Sequence, residues 1–247
     1  MLPDGFFSRP FAHRALHGPG APENSREAVA AAVTAGYAIE IDVQRSHDGE
    51  AVVFHDYSLT RLTGKSGAIQ MFGAGELAEI PLLGGPTGAP PLPEVLDLVA
   101  GKVPVVIEIK DQDGAMGTNV GELEAAVAEA LTTYEGPVAV MSFNPHSVAA
   151  MAELAPNIPR GITTCDYKAA GWPTVPAARR AELADIPDFE RVGACFISHD
   201  RQALGDTAVA RLKARGVPVL CWTIRSEEQA QDALKIADQI TFEGYAA

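Results

Sequence analysis

Cysteine is scarce in this chain. Its 247 residues include three, Cys165, Cys195 and Cys221, widely spaced and with no CxxC pair. An odd, scattered set excludes a disulfide framework and a zinc ribbon, and points to small buried thiols in a reducing compartment. No apolar run reaches the roughly 18 residues of a membrane span, so no stable membrane insertion is expected. The N-terminal MLPDGFFSRPFAHRA lacks a basic start before an apolar stretch. No signal peptide is visible there, and a cytoplasmic location is expected. Basic residues are also few: 19 Lys and Arg against 32 Asp and Glu give a net charge of −13. So acidic a surface argues against nucleic acid as a partner, and an anionic substrate would need local positive charge at its site. The chain has no P-loop, no GxSxG, no HExxH and no GxGxxG after its first strand. Apolar residues are not lacking. At 47% hydrophobic and 21% charged, the composition is that of a globular protein, too apolar for disorder.

Short β-branched runs alternate with Ala-rich segments of helical period. Strands are expected over 11–15, 38–44, 103–110, 138–143, 158–164, 194–200, 217–224 and 238–244. Helices are expected over 25–36, 123–134, 145–155, 207–216 and 226–237, with another near 93–100. Ser25 and Ser226 read as N-caps, the second with Gln229 in a capping box, while Gly36 and Gly216 end their helices. Strands alternating with helices mean a parallel sheet covered by helices. Eight units between residues 11 and 244 average about 29 residues, near the roughly 31 of a (β/α)8 barrel. The expected fold is therefore α/β, a TIM barrel, as one domain over 1–247 with a short Gly- and Pro-rich insertion at about 57–102, after the second strand region. A second excursion covers 165–193. Only Tyr245, Ala246 and Ala247 follow the eighth strand. A closing helix is then expected to be missing or supplied by something else; a second subunit would make a homodimer.

Within AIEIDVQ, Glu40 and Asp42 point to one face of a strand, while Ile39, Ile41 and Val43 point to the other. Two carboxylates facing one way on a buried strand are costly unless neutralised. In VVIEIK, Glu108 and Lys110 share a face in the same manner. If the two strands are neighbours, Glu40, Asp42 and Glu108 form an oxygen site for one hard divalent cation, Mg2+ or Ca2+. The competing reading is a set of ion pairs, Glu108 with Lys110 for example. His13 with Arg14, and His55 with Asp56, end strand-like runs, where barrel active sites lie. Two such histidines beside an acidic pair suit general acid–base chemistry. His17, His47, His146 and His199 lack this placement and read as surface or loop residues.

These residues fall in a recognisable order. HRA, PENS, EIDVQ, a DG turn, VVFHD and Arg61, followed by IEIK, SFNP and WT, resemble the glycerophosphodiester phosphodiesterase family, over residues 12 to about 244. The resemblance implies a TIM barrel hydrolysing small-molecule glycerophosphodiesters with a divalent cation. By position it makes Glu40, Asp42 and Glu108 metal ligands, and His13 and His55 the catalytic acid–base pair. Arg14 and Lys110 become phosphate contacts and Trp222 a substrate-shaping aromatic. With cation and phosphodiester bound, Arg14 and Lys110 bring the charge of this set to zero. Two departures stand out. Ala15 replaces the family's Gly in HRG, and Phe242-Glu243-Gly244 stands where the family reads a Thr-Asp pair before Pro. The second shapes the barrel mouth and leaves open a lysophospholipid or sugar phosphodiester as substrate. The first leaves open a barrel that binds a phosphorylated ligand without turnover.

Overall fold

The computed structural model describes residues 1–247. Nine strands are present: β1 (Phe11–Ala12), β2 (Ala38–Arg45), β3 (Ala51–Val53), β4 (Val105–Ile109), β5 (Val138–Ser142), β6 (Arg160–Thr164), β7 (Phe196–Asp200), β8 (Val219–Ile224) and β9 (Gln239–Phe242). Eight pair in parallel, and β1 bonds to both β2 and β9, so the sheet closes into a barrel. The ninth, β3, is antiparallel to β2. The Asp48-Gly49 dipeptide turns the chain between them, with Gly49 at φ +89°, as a tight hairpin turn requires.

Nine helices link the strands: α1 (Arg26–Ala35), α2 (Thr60–Thr63), α3 (Ala74–Glu79), α4 (Leu92–Val99), α5 (Glu122–Leu131), α6 (Pro145–Leu154), α7 (Ala177–Ala184), α8 (Thr207–Lys213) and α9 (Glu227–Ala233). Ser25 caps α1 by accepting from the Ala28 N–H, and Ser226 caps α9 by accepting from the Gln229 N–H. Gly36 ends α1 at φ +77°. No helix is long and apolar enough to cross a membrane. Against expectation, the excursion over 165–193 contains α7, which starts after Pro176. Its ARRAE sequence is too polar to show a helical stripe. The strand expected over 11–15 stops at Ala12, because Arg14 and Ala15 take φ of +53° and +63° and turn the chain out of the sheet.

Alternation along the strands sorts side chains into two cores. Those facing outward, with the helices, form a cluster of 42 buried residues. Those facing inward at the lower end, Phe11, Ala38, Val106, Ala139, Phe196 and Leu220, fill the barrel, and Phe6 joins them from below. The insertion between β3 and β4 has a small core of its own on Val52 and Phe54. Cys165 and Cys221 are buried and Cys195 half-buried, all free. Burial pushes the Cys165 thiol up to about 11 and that of Cys221 to about 12, so both are inert.

The barrel interior tolerates no added volume at Gly161 on β6. A Cβ there would lie 2.5 Å from the Phe196 ring. Gly161→Ala should lose ~1–3 kcal/mol to overpacking, and adding Phe196→Leu should recover part of it. Urea unfolding of the two variants checks this; additive losses would count against the contact.

Candidate active site

The upper end of the same inward rows is polar. Glu40 and Asp42 follow Ala38 on β2, Glu108 follows Val106 on β4, and the register sets Asp42 beside Glu108. All three are buried, and their carboxylate oxygens lie within 4.8 Å of one another. His13 and Arg14 leave β1 beside them. With Arg14 in the left-handed region, its backbone N–H turns back and donates to Glu40 Oε2 at 2.9 Å. Ala15 belongs to the outer apolar core and its N–H donates to the Glu40 carbonyl. Its methyl therefore leaves the cavity free. His13, Arg14, Glu40, Asp42, His55, Glu108, Lys110 and Trp222, the eight side chains singled out from sequence, all line one cavity of about 220 Å³.

Electrostatics organise this cavity. Burial, and then the neighbouring charges of Asp42 and Glu108, push the Glu40 carboxyl well above the usual range. Burial would raise Asp42 too, but Lys110, His55 and Arg14 outweigh it and hold that carboxyl below its ordinary value. The Lys110 ammonium lies 2.6 Å from Asp42 Oδ1 and also contacts Glu108. The Glu108–Lys110 ion pair is thus present alongside the acidic trio. Arg14 is less committed: its Nη1 donates to Glu23 at 2.7 Å, and its Nε is 3.6 Å from Asp42 Oδ2. Three buried carboxylates facing one buried ammonium leave negative charge uncompensated, and Glu40 receives a single hydrogen bond. A donor set of hard oxygens with that deficit fits a divalent cation.

Both imidazoles are held through Nδ1. His13 Nδ1 lies 2.5 Å from Glu243 Oε2, and His55 Nδ1 lies 2.7 Å from Asp56 Oδ1. Burial lowers the pKa of His13, opposed by its bond to Glu243. Asp56 is gripped by both ends of the Arg61 fork at 2.6 and 2.8 Å, and Arg61 also bonds Glu23. A continuous chain of charges therefore runs along the rim from Arg14 to His55. Trp222 is fixed by its Nε1–H donating to the Ser198 carbonyl at 3.1 Å.

Several participants escaped sequence reasoning. Asn24 is fully buried; its amide donates to Asp42 Oδ2 at 2.9 Å and its Oδ1 accepts the Asp42 N–H. PENS was visible as a motif, but nothing in it says that Asn24 reaches a neighbouring strand. Glu243 and Glu23 were equally hidden. One of the histidines read as surface or loop residues, His199, is a buried strand residue instead. His199 is 1% exposed, bonded to Thr164 Oγ1 and the Ala203 carbonyl as a structural core residue. His17 is a half-buried loop residue, with Nε2 at 3.5 Å from Glu243. His47 is exposed, and His146 lies in the first turn of α6.

A closed barrel with carboxylates, Arg14, Lys110 and two held imidazoles at one mouth has the groups of an enzyme site. The comparisons narrow this. The model of the glycerophosphoryl diester phosphodiesterase family matches residues 13–240, and the chain belongs to that family, the phosphoric diester hydrolases that its relatives represent. It is 33% identical over 165 residues to a glycerophosphodiester phosphodiesterase of Bacillus altitudinis, covering 63% of this chain and 66% of the other. It is 27% identical to YhdW of Bacillus subtilis, covering 89% and 87%. A phosphodiesterase of Oleispira antarctica, solved with its product sn-glycerol-3-phosphate, superposes with a TM-score of 0.78 at 25% identity, over 97% of this chain and 94% of that one.

The crowding of the trio is measurable. Because the folded-state pKa of Glu40 is above its unfolded value, ionising it costs stability once the pH exceeds both. In EDTA, Glu40→Gln should therefore be more stable than the parent near neutral pH, by ~0.5–2 kcal/mol. The advantage should fade as the pH falls to the ordinary glutamate range, where the parent is protonated in both states. Urea unfolding across that pH range reads it; equal stabilities at neutral pH would refute the repulsion.

Proposed function

We propose that this chain hydrolyses glycerophosphodiesters to sn-glycerol 3-phosphate and an alcohol, as one barrel domain with residues 57–102 as its insertion. The convergence of two imidazoles and three buried carboxylates in a single cavity carries this reading. Glu40, Asp42 and Glu108 would hold one divalent cation, Mg2+ or Ca2+. A cation there supplies positive charge to a non-bridging phosphate oxygen. Arg14 and Lys110 take the charge that develops on the equatorial oxygens during in-line displacement at phosphorus. One of His13 and His55 removes the proton of the attacking hydroxyl, from water or from the vicinal hydroxyl of the glycerol. The other protonates the leaving alcohol.

The catalytic cavity opens into a groove of about 630 Å³ that shares His55, Glu108 and Lys110 with it. Tyr57, Met116, Phe143, Trp172 and Trp222 give that groove an apolar wall, and Phe143 packs on both Trp172 and Trp222 at ring distances of 4.9 and 5.6 Å. This wall suits apolar surface on the substrate, such as the acyl chain that a lysophospholipid carries on its glycerol, over a sugar.

Turnover of glycerophosphocholine should release glycerol 3-phosphate, stop in EDTA and return with Mg2+ or Ca2+. His13→Ala and His55→Ala should each lower kcat at least about 10²-fold. Chelator-insensitive turnover would remove the cation from this account, and unchanged rates in both variants would remove the acid–base pair. In a substrate panel, a higher kcat/KM for lysophosphatidylcholine than for glycerophosphoinositol is expected; the reverse order would discard the apolar groove as an acyl-chain subsite.

A further inference from the structure

Glu243 makes three polar contacts at the mouth of the barrel and has no role in the chemistry described so far. The parallel register of β1 and β9 pairs Phe11 with Thr241 and Ala12 with Phe242. One residue further on, His13 and Glu243 stand side by side, tied by the His13 N–H donating to the Phe242 carbonyl at 2.8 Å. Glu243 is anchored in turn, its own N–H donating to the Ile224 carbonyl at 2.9 Å. Its two carboxylate oxygens divide their partners. Oε2 meets His13 Nδ1 at 2.5 Å and lies 3.5 Å from His17 Nε2, while Oε1 forms an ion pair with Arg225, 2.7 Å from its Nη2. The bond to His13, followed by that to His17, holds the Glu243 carboxyl well below its usual range, so it is an anion there. An anionic oxygen facing Nδ1 has only acceptor capacity, which requires the proton on Nδ1. His55, which lines the same cavity, is held in the same manner by Asp56.

We propose that Glu243 is the positioning residue of His13: it fixes the ring with its proton on Nδ1 and presents Nε2 to the phosphodiester. Arg225 fixes which oxygen of Glu243 does this. Asp56, locked by the Arg61 fork, serves His55 in the mirrored arrangement. The inference rests on the assignment of His13 to proton transfer made above.

Glu243→Gln separates the two. The Arg225 guanidinium attracts the side-chain oxygen and repels the amide NH2, so the new amide nitrogen faces His13 Nδ1 and donates to it. The proton then moves to Nε2, and a neutral ring in that tautomer cannot accept a proton from the substrate side; a charged ring loses its carboxylate partner. We expect kcat to fall on the order of 10–100-fold with KM within about twofold, and Glu243→Asp, which keeps the anion, to recover most of the loss. Nitrogen-15 shifts of His13 should report the proton on Nδ1 in the parent enzyme and on Nε2 in Glu243→Gln. These spectra need no turnover, so they stand even if a variant is poorly active. A Glu243→Gln enzyme with parental kcat, or a parent whose His13 proton is on Nε2, overturns the proposal. Full activity in His13→Ala would instead overturn the assignment it rests on.

Discussion

Three carboxylates forced into one buried space set the terms for the rest of this molecule. Glu40, Asp42 and Glu108 stand on adjacent strands with their oxygens within 4.8 Å, and no apolar interior accepts that charge uncompensated. The surroundings answer it piece by piece. Lys110 bonds two of the three, Asn24 is buried to bond Asp42 twice over, and the chain at Arg14 enters the left-handed region so that a backbone N–H can reach Glu40. Left-handed backbone at a non-glycine residue costs of order 1–3 kcal/mol. The strain at Arg14 and Ala15 is therefore sited where it places donors on the trio.

The charge that remains is a deficit of the kind a hard cation fills. A protein with a net charge of −13 attracts no phosphodiester by its overall field. Positive charge is instead local: Arg14 and Lys110 stand inside the cavity, beside carboxylates that could hold a divalent ion. The rim network of Arg14, Glu23, Arg61 and Asp56 extends the same logic outward. Its exposed pairs contribute little energy individually, but together they orient Arg14 and His55 from opposite ends.

Much of this was legible along the chain. The period-2 alternation in AIEIDVQ and VVIEIK, with carboxylates between β-branched residues, announces strands that are apolar outside and acidic inside. The length of each strand–helix unit announces a barrel. Where reading failed, the cause was a contact between residues distant in sequence. His199 looks like any loop histidine until β6 brings Thr164 against it. α7 has no apolar stripe, since it buries only Leu183, so pattern alone reads it as loop. Glu243 looked like a departure from the family, and its side chain proves to be the group that holds His13.

By itself, then, the order of residues determined the strand period, the faces on which Glu40, Asp42, Glu108 and Lys110 lie, and the capping signals of α1 and α9, because these depend on spacings of two to four residues. The tertiary structure alone decided which strands are neighbours, which carboxylate bonds which cation, and which nitrogen of His13 and His55 meets a carboxylate. Those depend on barrel closure and register, where β1 meets β9 across some 230 residues, a distance over which local pattern carries no information.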